Sequence, residues 1–141
     1  MHLLLIHQNF PGQFRDLAPA WLASGHQVTA IGSTAEAPSG LQWQGLRYVQ
    51  YSLEQAPSQL QRGLAVARLV QQLLEQEDPP QLVMSHSAWG EALCLQRVCR
   101  NVPWISYPEL WGNPRSLGFG FDQELEGLAP DANSFSSANL I

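Results

Sequence analysis

Residues 3–18, LLLIHQNFPGQFRDLA, decide the fold of this chain. The segment Leu3–His7 is almost continuously apolar, which is typical of a strand buried on both faces. After it, apolar residues recur at helical spacing up to Gly25, which favours a left-handed helix cap. These residues are Phe14, Leu17, Ala18, Trp21 and Leu22. A strand that leads through a Pro–Gly corner into a helix is the first unit of an open α/β sheet, and ligands bind at such corners.

The rest of the chain continues the alternation of strands and helices. Further strands are predicted at His26–Gly32, Leu46–Tyr51, Leu82–His86 and Pro103–Tyr107. A long helix, with Ser58 as its N-cap, is marked by Leu60, Leu64, Ala67, Val70 and Leu74. Another helix has the inner stripe Ala88, Ala92, Leu95 and Cys99. With right-handed crossovers, this order predicts an α/β fold, a Rossmann-like parallel sheet with helices on both faces.

Composition limits the classes of protein and partner. The chain has 141 residues and is 45% hydrophobic, which predicts a single globular domain over residues 1–141, with an irregular loop region at 109–130. Its net charge is −5 and it contains no Lys, so we expect no nucleic-acid partner.

The thiols of Cys94 and Cys99 are expected to be reduced. Without a signal peptide or a membrane span, the predicted location is cytoplasmic, and peripheral membrane association stays open.

The carboxyl ends of parallel strands meet at one edge of a sheet, so several polar residues are expected to share a cleft there. Gly12 lets backbone approach a ligand, and the following helix start offers N–H groups to a phosphate, although Pro11–Gly12 serves equally well as a tight turn. His86 can bind a hydroxyl or move a proton, although a core histidine bonded to backbone is the stronger alternative. Further candidates for the cleft are His7, Gln8, Asn9, Gln13, Arg15, Glu91, Tyr107 and Glu109.

Two kinds of site are not expected. The dinucleotide-binding pattern G-x-G-x-x-G is absent, which disfavours a standard NAD site. No residues have the spacing of metal ligands.

Glu91 is expected in the first turn of its helix, where the helix dipole alone favours an acid. Glu109 follows the fifth strand among aromatic residues and suits hydroxyl recognition, or it is a plain solvated acid.

Four segments carry a resemblance to a known family. HQNFPGQFRDLAPAWLASGHQVTAI resembles the start of those family 4 glycosyltransferases that open with an HQNFPGQFRHLA-type segment. SHSAWGEAL is similar to their HPGWGE segment, while PWISYPELW and GFGFDQEL are similar to their PLISYFEFYY and DVGFDPEF segments. The four matches occur in order between residue 1 and about residue 125.

The resemblance implies the N-terminal, acceptor-side half of a GT-B glycosyltransferase. Such an enzyme is retaining and needs no metal or other cofactor, because a nucleotide diphosphate sugar is its donor substrate. The C-terminal domain, which binds the donor and carries a Glu-x7-Glu motif, is absent from these 141 residues. We therefore expect this chain alone to be inactive. Dimerisation through an exposed interdomain face stays open.

The resemblance also implies roles for particular residues. His86 and Glu109 would be catalytic, and a donor-phosphate loop would consist of Asn9, Pro11, Gly12 and Gln13. Ser87 and Ala88 stand where the family segment has Pro and Gly, and Asp16 stands where it has His, which leaves the details of the substrate open.

Two other functions remain as alternatives to the transferase. One is a stand-alone, non-catalytic module that binds a sugar or a nucleotide. The other is a different nucleotide-using enzyme, such as a sugar-nucleotide epimerase, but that class normally has the Gly-rich loop that this chain lacks.

Overall fold

Five parallel strands form one sheet in the computed structural model, which describes residues 1–33, 43–53, 57–87 and 89–108. The strands are β1 (His2–Ile6), β2 (Gln27–Gly32), β3 (Leu46–Gln50), β4 (Leu82–His86) and β5 (Trp104–Tyr107). Their order across the sheet is β3-β2-β1-β4-β5, and every neighbouring pair is parallel. The predicted Rossmann-like α/β fold is therefore confirmed.

The central strand is apolar from Leu3 to Ile6 because both faces of the sheet are covered. β1 pairs with β2 on one side and with β4 on the other, and all five of its residues are buried. On one face, Leu3 and Leu5 pack with Phe10, Phe14 and other residues of one core cluster. On the other face, the side chain of Leu4 belongs to a second cluster.

Helices cover both faces of the sheet, as predicted. They are a 3-10 helix (Gly12–Phe14), α1 (Leu17–Ala23), α2 (Gln59–Leu74) and α3 (Leu95–Val98). α1 contributes to the cluster around Leu3, whereas α2 and α3 contribute to the cluster around Leu4. No helix in the described ranges is long and apolar enough to cross a membrane.

Two predicted helices are shorter than expected. The first does not start near Gln13, because Gly12 has φ +45° and the next residues form a 3-10 turn before α1 begins at Leu17. The second was expected to extend from about residue 88 to Cys99, but its regular part is only α3. Gly90 has φ +107°, which a right-handed helix excludes.

The buried face of α2 is also rotated from the predicted stripe. Ala67 and Val70 are buried as predicted, but Leu60 and Leu64 are exposed, and Gly63 and Val66 are buried instead. Gly63 can face inwards because it lacks a side chain: a Cβ there would lie 2.9 Å from the carbonyl oxygen of Gly90. The irregular region predicted at 109–130 lies outside the described residues.

The predicted N-cap of α2 is confirmed and supports a prediction about stability. The Ser58 hydroxyl accepts a hydrogen bond from the backbone N–H of Gln61, whose side chain accepts one from the backbone N–H of Ser58. Replacing Ser58 with Ala should lower the free energy of unfolding by about 1 kcal/mol, since a helix N–H loses its partner. Urea unfolding measures this loss, and Ser58→Asp, which keeps an acceptor, should stay close to the wild type.

Candidate functional site

The order of the strands places a crevice between β1 and β4. The chain moves from β1 outwards to β2 and β3, and then crosses to β4 on the other side of β1. The loops that follow β1 and β4 therefore leave the sheet in opposite directions, which opens a crevice at its carboxyl edge. A cleft of about 420 Å³ lies there, lined by His7, Asn9, Gly12, Gln13 and Trp89.

The loop after β1 folds around the imidazole of His7. Its Nδ1 accepts a hydrogen bond of 3.0 Å from the backbone N–H of Asn9, and its Nε2 bonds to Oε1 of Gln13. Because Nδ1 accepts a hydrogen bond and an amide oxygen can only accept, the ring hydrogen that faces Gln13 lies on Nε2. Gly12 is required at this point, since a Cβ there would overlap the His7 ring.

The second histidine of the edge, His86, lies behind the first. The two imidazole rings are in contact, with their centroids 4.6 Å apart and their planes tilted by 39°. His86 is 1% exposed, so it is a buried histidine at the end of β4. His7 lines the cleft itself. A ligand in the cleft therefore meets His7 first, and the catalytic role of His86 stays a prediction.

The loop after β1 offers fewer N–H groups to an anion than expected. The N–H of Asn9 bonds to His7, that of Phe14 bonds to the carbonyl oxygen of Pro11, and that of Arg15 bonds to the carbonyl oxygen of Gly12. Three N–H groups between residues 9 and 15 are thus used internally, and one of them, that of Asn9, belongs to the predicted donor-phosphate loop. Its role towards phosphate remains a prediction.

Glu91 lies in a turn rather than in the first turn of a helix, because α3 begins four residues later. Its carboxylate is 1% exposed and accepts a hydrogen bond from the hydroxyl of Tyr51, the residue that follows β3. The guanidinium of Arg62 on α2 lies 3.9 Å away from the same oxygen. This buried group, Tyr51–Glu91–Arg62, joins three separate elements behind the cleft.

The turn that precedes Glu91 holds Trp89 at the cleft. Half of the Trp89 surface is exposed. Gly90 packs against the first turn of α2 so closely that a Cβ would lie 2.6 Å from the Cα atom of Gln59. The turn is thus held at Gly90 by this packing and at Glu91 by its hydrogen bond and ion pair, directly after the residue that carries the indole.

The remaining candidates are spread around the edge. The backbone carbonyl of Gln8 accepts two bonds from Ser33, so Gln8 ties the loop after β1 to the end of β2. Arg15 is exposed and is not among the residues that line the cleft. Tyr107 packs against Phe14 with ring centroids 6.0 Å apart. Pro11 is buried beside Gly12. Glu109 lies outside the described residues.

No three His, Cys, Asp or Glu side chains come together as metal ligands within the part of the chain that the structure describes. The two cysteines are free thiols there, as expected. The other histidine that is buried, His2, lies at the opposite edge of the sheet, where its ring bonds to the carbonyl oxygen of Asp78 and to the Thr29 hydroxyl. It is structural.

The environment of Tyr51 leads us to expect that the stability of the protein falls at alkaline pH. Burial, and then the hydrogen bond to Glu91, raise the pKa of the Tyr51 phenol well above its ordinary value of 10.0. The folded protein therefore keeps a proton that the unfolded chain releases, so this contribution to stability is complete below about pH 10 and is lost as the pH rises further.

Tyr51→Phe should therefore flatten the fall in stability above about pH 10, as measured by urea unfolding at a series of pH values. Some fall should remain, because burial also raises the pKa of the Cys99 thiol. An unchanged alkaline slope in Tyr51→Phe would contradict this account.

Sequence reasoning missed Trp89, Tyr51 and Arg62. Trp89 stands in the SHSAWGEAL segment, only three residues after His86, but a tryptophan in such a segment is equally typical of the core or of a loop anchor. Tyr51 follows a predicted strand and so falls on the same edge as the other candidates, which was an available signal. Nothing in the sequence pattern indicated Arg62, because its contact depends on how α2 packs against the turn after β4.

One family matches this chain. The sequence model described as Glycosyl transferase family 4 group matches residues 24–139. This match covers most of the chain and confirms the family of the resemblance. The segment HQNFPGQF at residues 7–14 lies outside the matched range. No curated protein matches the chain in sequence.

Solved structures share the fold. The C-terminal domain of the PF1911 hydrogenase from Pyrococcus furiosus is 20% identical, with a TM-score of 0.59 over 75% of this chain and 90% of that one. TcCGT1, solved in complex with UDP, is 14% identical, with a TM-score of 0.57 over 92% of this chain and 32% of that one. The glycotransferase of kitacinnamycin is 18% identical, with a TM-score of 0.54 over 94% and 37%. At these identities the likeness shows the fold alone, and this chain spans about a third of the two transferases.

Proposed function

Because the chain belongs to the glycosyl transferase family 4 group, we propose that it forms the N-terminal, acceptor-side domain of a retaining glycosyltransferase. The enzyme transfers a sugar from a nucleotide diphosphate sugar to a hydroxyl group of an acceptor. The bond between the anomeric carbon and the diphosphate breaks, a bond to the acceptor oxygen forms on the same face, and the hydroxyl proton leaves with the diphosphate. Stabilising the charge on that leaving group is the main catalytic task.

The observation that carries the proposal is the cleft at the switch point between β1 and β4, within a domain of this family. Ligands of open α/β sheets bind at such a point. The cleft is lined by an imidazole, two amides and an indole, which are groups that bind hydroxyls and ring faces.

In this proposal the loop that carries Asn9, Pro11, Gly12 and Gln13 faces the donor. His86 is a catalytic residue of this proposal, and His7, whose ring contacts that of His86, lines the cleft beside it. Glu109 is the other residue to which this proposal gives a catalytic role. Most of the nucleotide, including the diphosphate, is bound by a second domain outside these 141 residues, and the chain alone does not transfer sugar. The likeness to only about a third of two transferase chains supports a divided site.

Calorimetric titration with a panel of nucleotide diphosphate sugars tests the divided site. The full-length protein encoded by the gene should bind one of them, and the 141-residue chain should bind the same compound weakly or not at all. Equal affinity of the 141-residue chain for that compound would contradict the proposal, because one domain would then hold a complete nucleotide site.

A second candidate function is a stand-alone module that binds a sugar or a nucleotide without catalysis. One observation favours it: a hydrogenase domain of nearly the same extent has the same fold, so the fold does not require a transferase. In that case the full-length protein would bind a ligand in the cleft and release no nucleoside diphosphate from any sugar nucleotide.

A further inference from the structure

The described residues that line the cleft include no Arg, Lys, Asp or Glu. Asn9 and Gln13 contribute amides, Gly12 contributes backbone, and Trp89 contributes an indole. The imidazole of His7 is engaged on both nitrogens, because its Nδ1 accepts from the N–H of Asn9 while its Nε2 bonds to Oε1 of Gln13. A diphosphate would find no guanidinium or ammonium group among these residues, whereas hydroxyl groups would find amides that both donate and accept.

The apolar part of the cleft is the face of Trp89. The indole is half exposed, and the turn that carries it is fixed by the packing of Gly90 against Gln59 and by the buried bonds of Glu91. A rigid aromatic side chain costs little conformational entropy when a ligand packs on it. The volume of about 420 Å³ lies at the lower end of the range for small-molecule sites.

We propose that the indole of Trp89 is the platform on which an uncharged sugar ring of the substrate stacks, while the amides of Asn9 and Gln13 bond to its hydroxyl groups. The apolar C–H face of the ring packs on the indole, and the polar rim of the ring faces the loop after β1. This proposal rests on the proposed function and specifies which part of the substrate occupies the cleft: the sugar, not the nucleotide or the phosphates.

Nuclear magnetic resonance titration of the 141-residue chain tests the platform. The probes are the methyl α-glycosides of glucose, galactose and mannose, and dissociation constants come from backbone amide shifts. At least one glycoside should shift the amides of Asn9 and Gln13 and the indole N–H of Trp89. Trp89→Ala should weaken that binding at least tenfold, whereas Trp89→Phe, which keeps an aromatic face, should stay within about threefold of the wild type.

Leu64→Ala is the matched control, because Leu64 is another exposed apolar side chain and does not line the cleft. It should bind the glycoside as the wild type does. Circular dichroism melts of all variants establish whether each is folded. If Trp89→Ala is not folded, the binding measured for Trp89→Phe still tests the proposal.

Three results would overturn the platform. They are no shift with any glycoside, equal binding by Trp89→Ala and the wild type, and UDP alone shifting the same amides and displacing the glycoside. None of these decides the proposed function, which depends on release of nucleoside diphosphate by the full-length protein. Conversely, glycoside binding that needs Trp89, in a full-length protein that releases no nucleoside diphosphate, would support the platform and overturn the transferase.

Discussion

Gly12→Ala is expected to lower the free energy of unfolding by about 3 kcal/mol. Two effects add. The residue has φ +45°, which a Cβ makes strained, and the new methyl group would overlap the imidazole of His7. His7 cannot move away cheaply, because its ring is bonded to Asn9 and Gln13 and contacts the ring of His86. Urea unfolding, monitored by circular dichroism, measures the loss.

Gly25→Ala is the matched control for the strain. Gly25 also has a positive φ, +79°, but nothing lies within 4 Å of the position that a Cβ would take. Its substitution should therefore cost about 1 kcal/mol, from the backbone conformation alone. The difference between the two variants measures the overlap with His7.

A double variant isolates that overlap. In a His7→Ala background the obstacle is gone, so Gly12→Ala should cost about 1 kcal/mol, as Gly25→Ala does. Equal costs of Gly12→Ala with and without the imidazole would contradict the packing of this loop around His7.

Glu91→Ala is expected to cost about 3 kcal/mol. The substitution removes a buried carboxylate, leaves the buried hydroxyl of Tyr51 without its acceptor, and takes the ion-pair partner from Arg62. The contribution of Arg62 is the smaller one, because its side chain is 20% exposed and water can solvate the charge. The turn that carries Trp89 also loses one of its two anchors.

Glu91→Gln separates the hydrogen bond from the charge. The amide oxygen can still accept from Tyr51, so this variant should lose about 1 kcal/mol. Tyr51→Phe and Glu91→Ala should be strongly non-additive, because they remove the same bond. If Glu91→Gln were as unstable as Glu91→Ala, the charge and not the hydrogen bond would hold the turn.

Much of the fold could be predicted because its signals are local. The apolar run before His7 indicates a central strand whatever surrounds it, Gly25 ends a helix through its own φ, and Ser58 caps α2 with Gln61 three residues away. The order of strands and helices then leaves few topologies, since crossovers are right-handed.

The errors lie where distant parts of the chain determine the local structure. Gly90 interrupts the expected helix because it packs on the backbone of Gln59, which is thirty-one positions earlier in the sequence. The buried face of α2 follows Gly63 rather than Leu60 and Leu64 for the same reason. No periodicity within one segment contains that information.

The sequence indicated which residues lie at the carboxyl edge of the sheet, but it did not indicate how deeply each side chain is buried there. The topology correctly placed His7, Gly12 and His86 at one edge of the sheet. It did not show that His7 covers His86, or that Glu91 lies in the core with Tyr51, because the distance of a side chain from the surface depends on the packing of three elements. Trp89 is on the cleft because Gly90 and Glu91 fix its turn.

The most direct test of the transferase is the release of nucleoside diphosphate from a panel of sugar nucleotides by the full-length protein, measured without knowledge of the acceptor. The wild type should release it from one donor. Trp89→Ala should reduce that release at least tenfold, and Leu64→Ala should leave it unchanged. No release from any donor, with every variant folded, would contradict the assignment of this domain to an active glycosyltransferase.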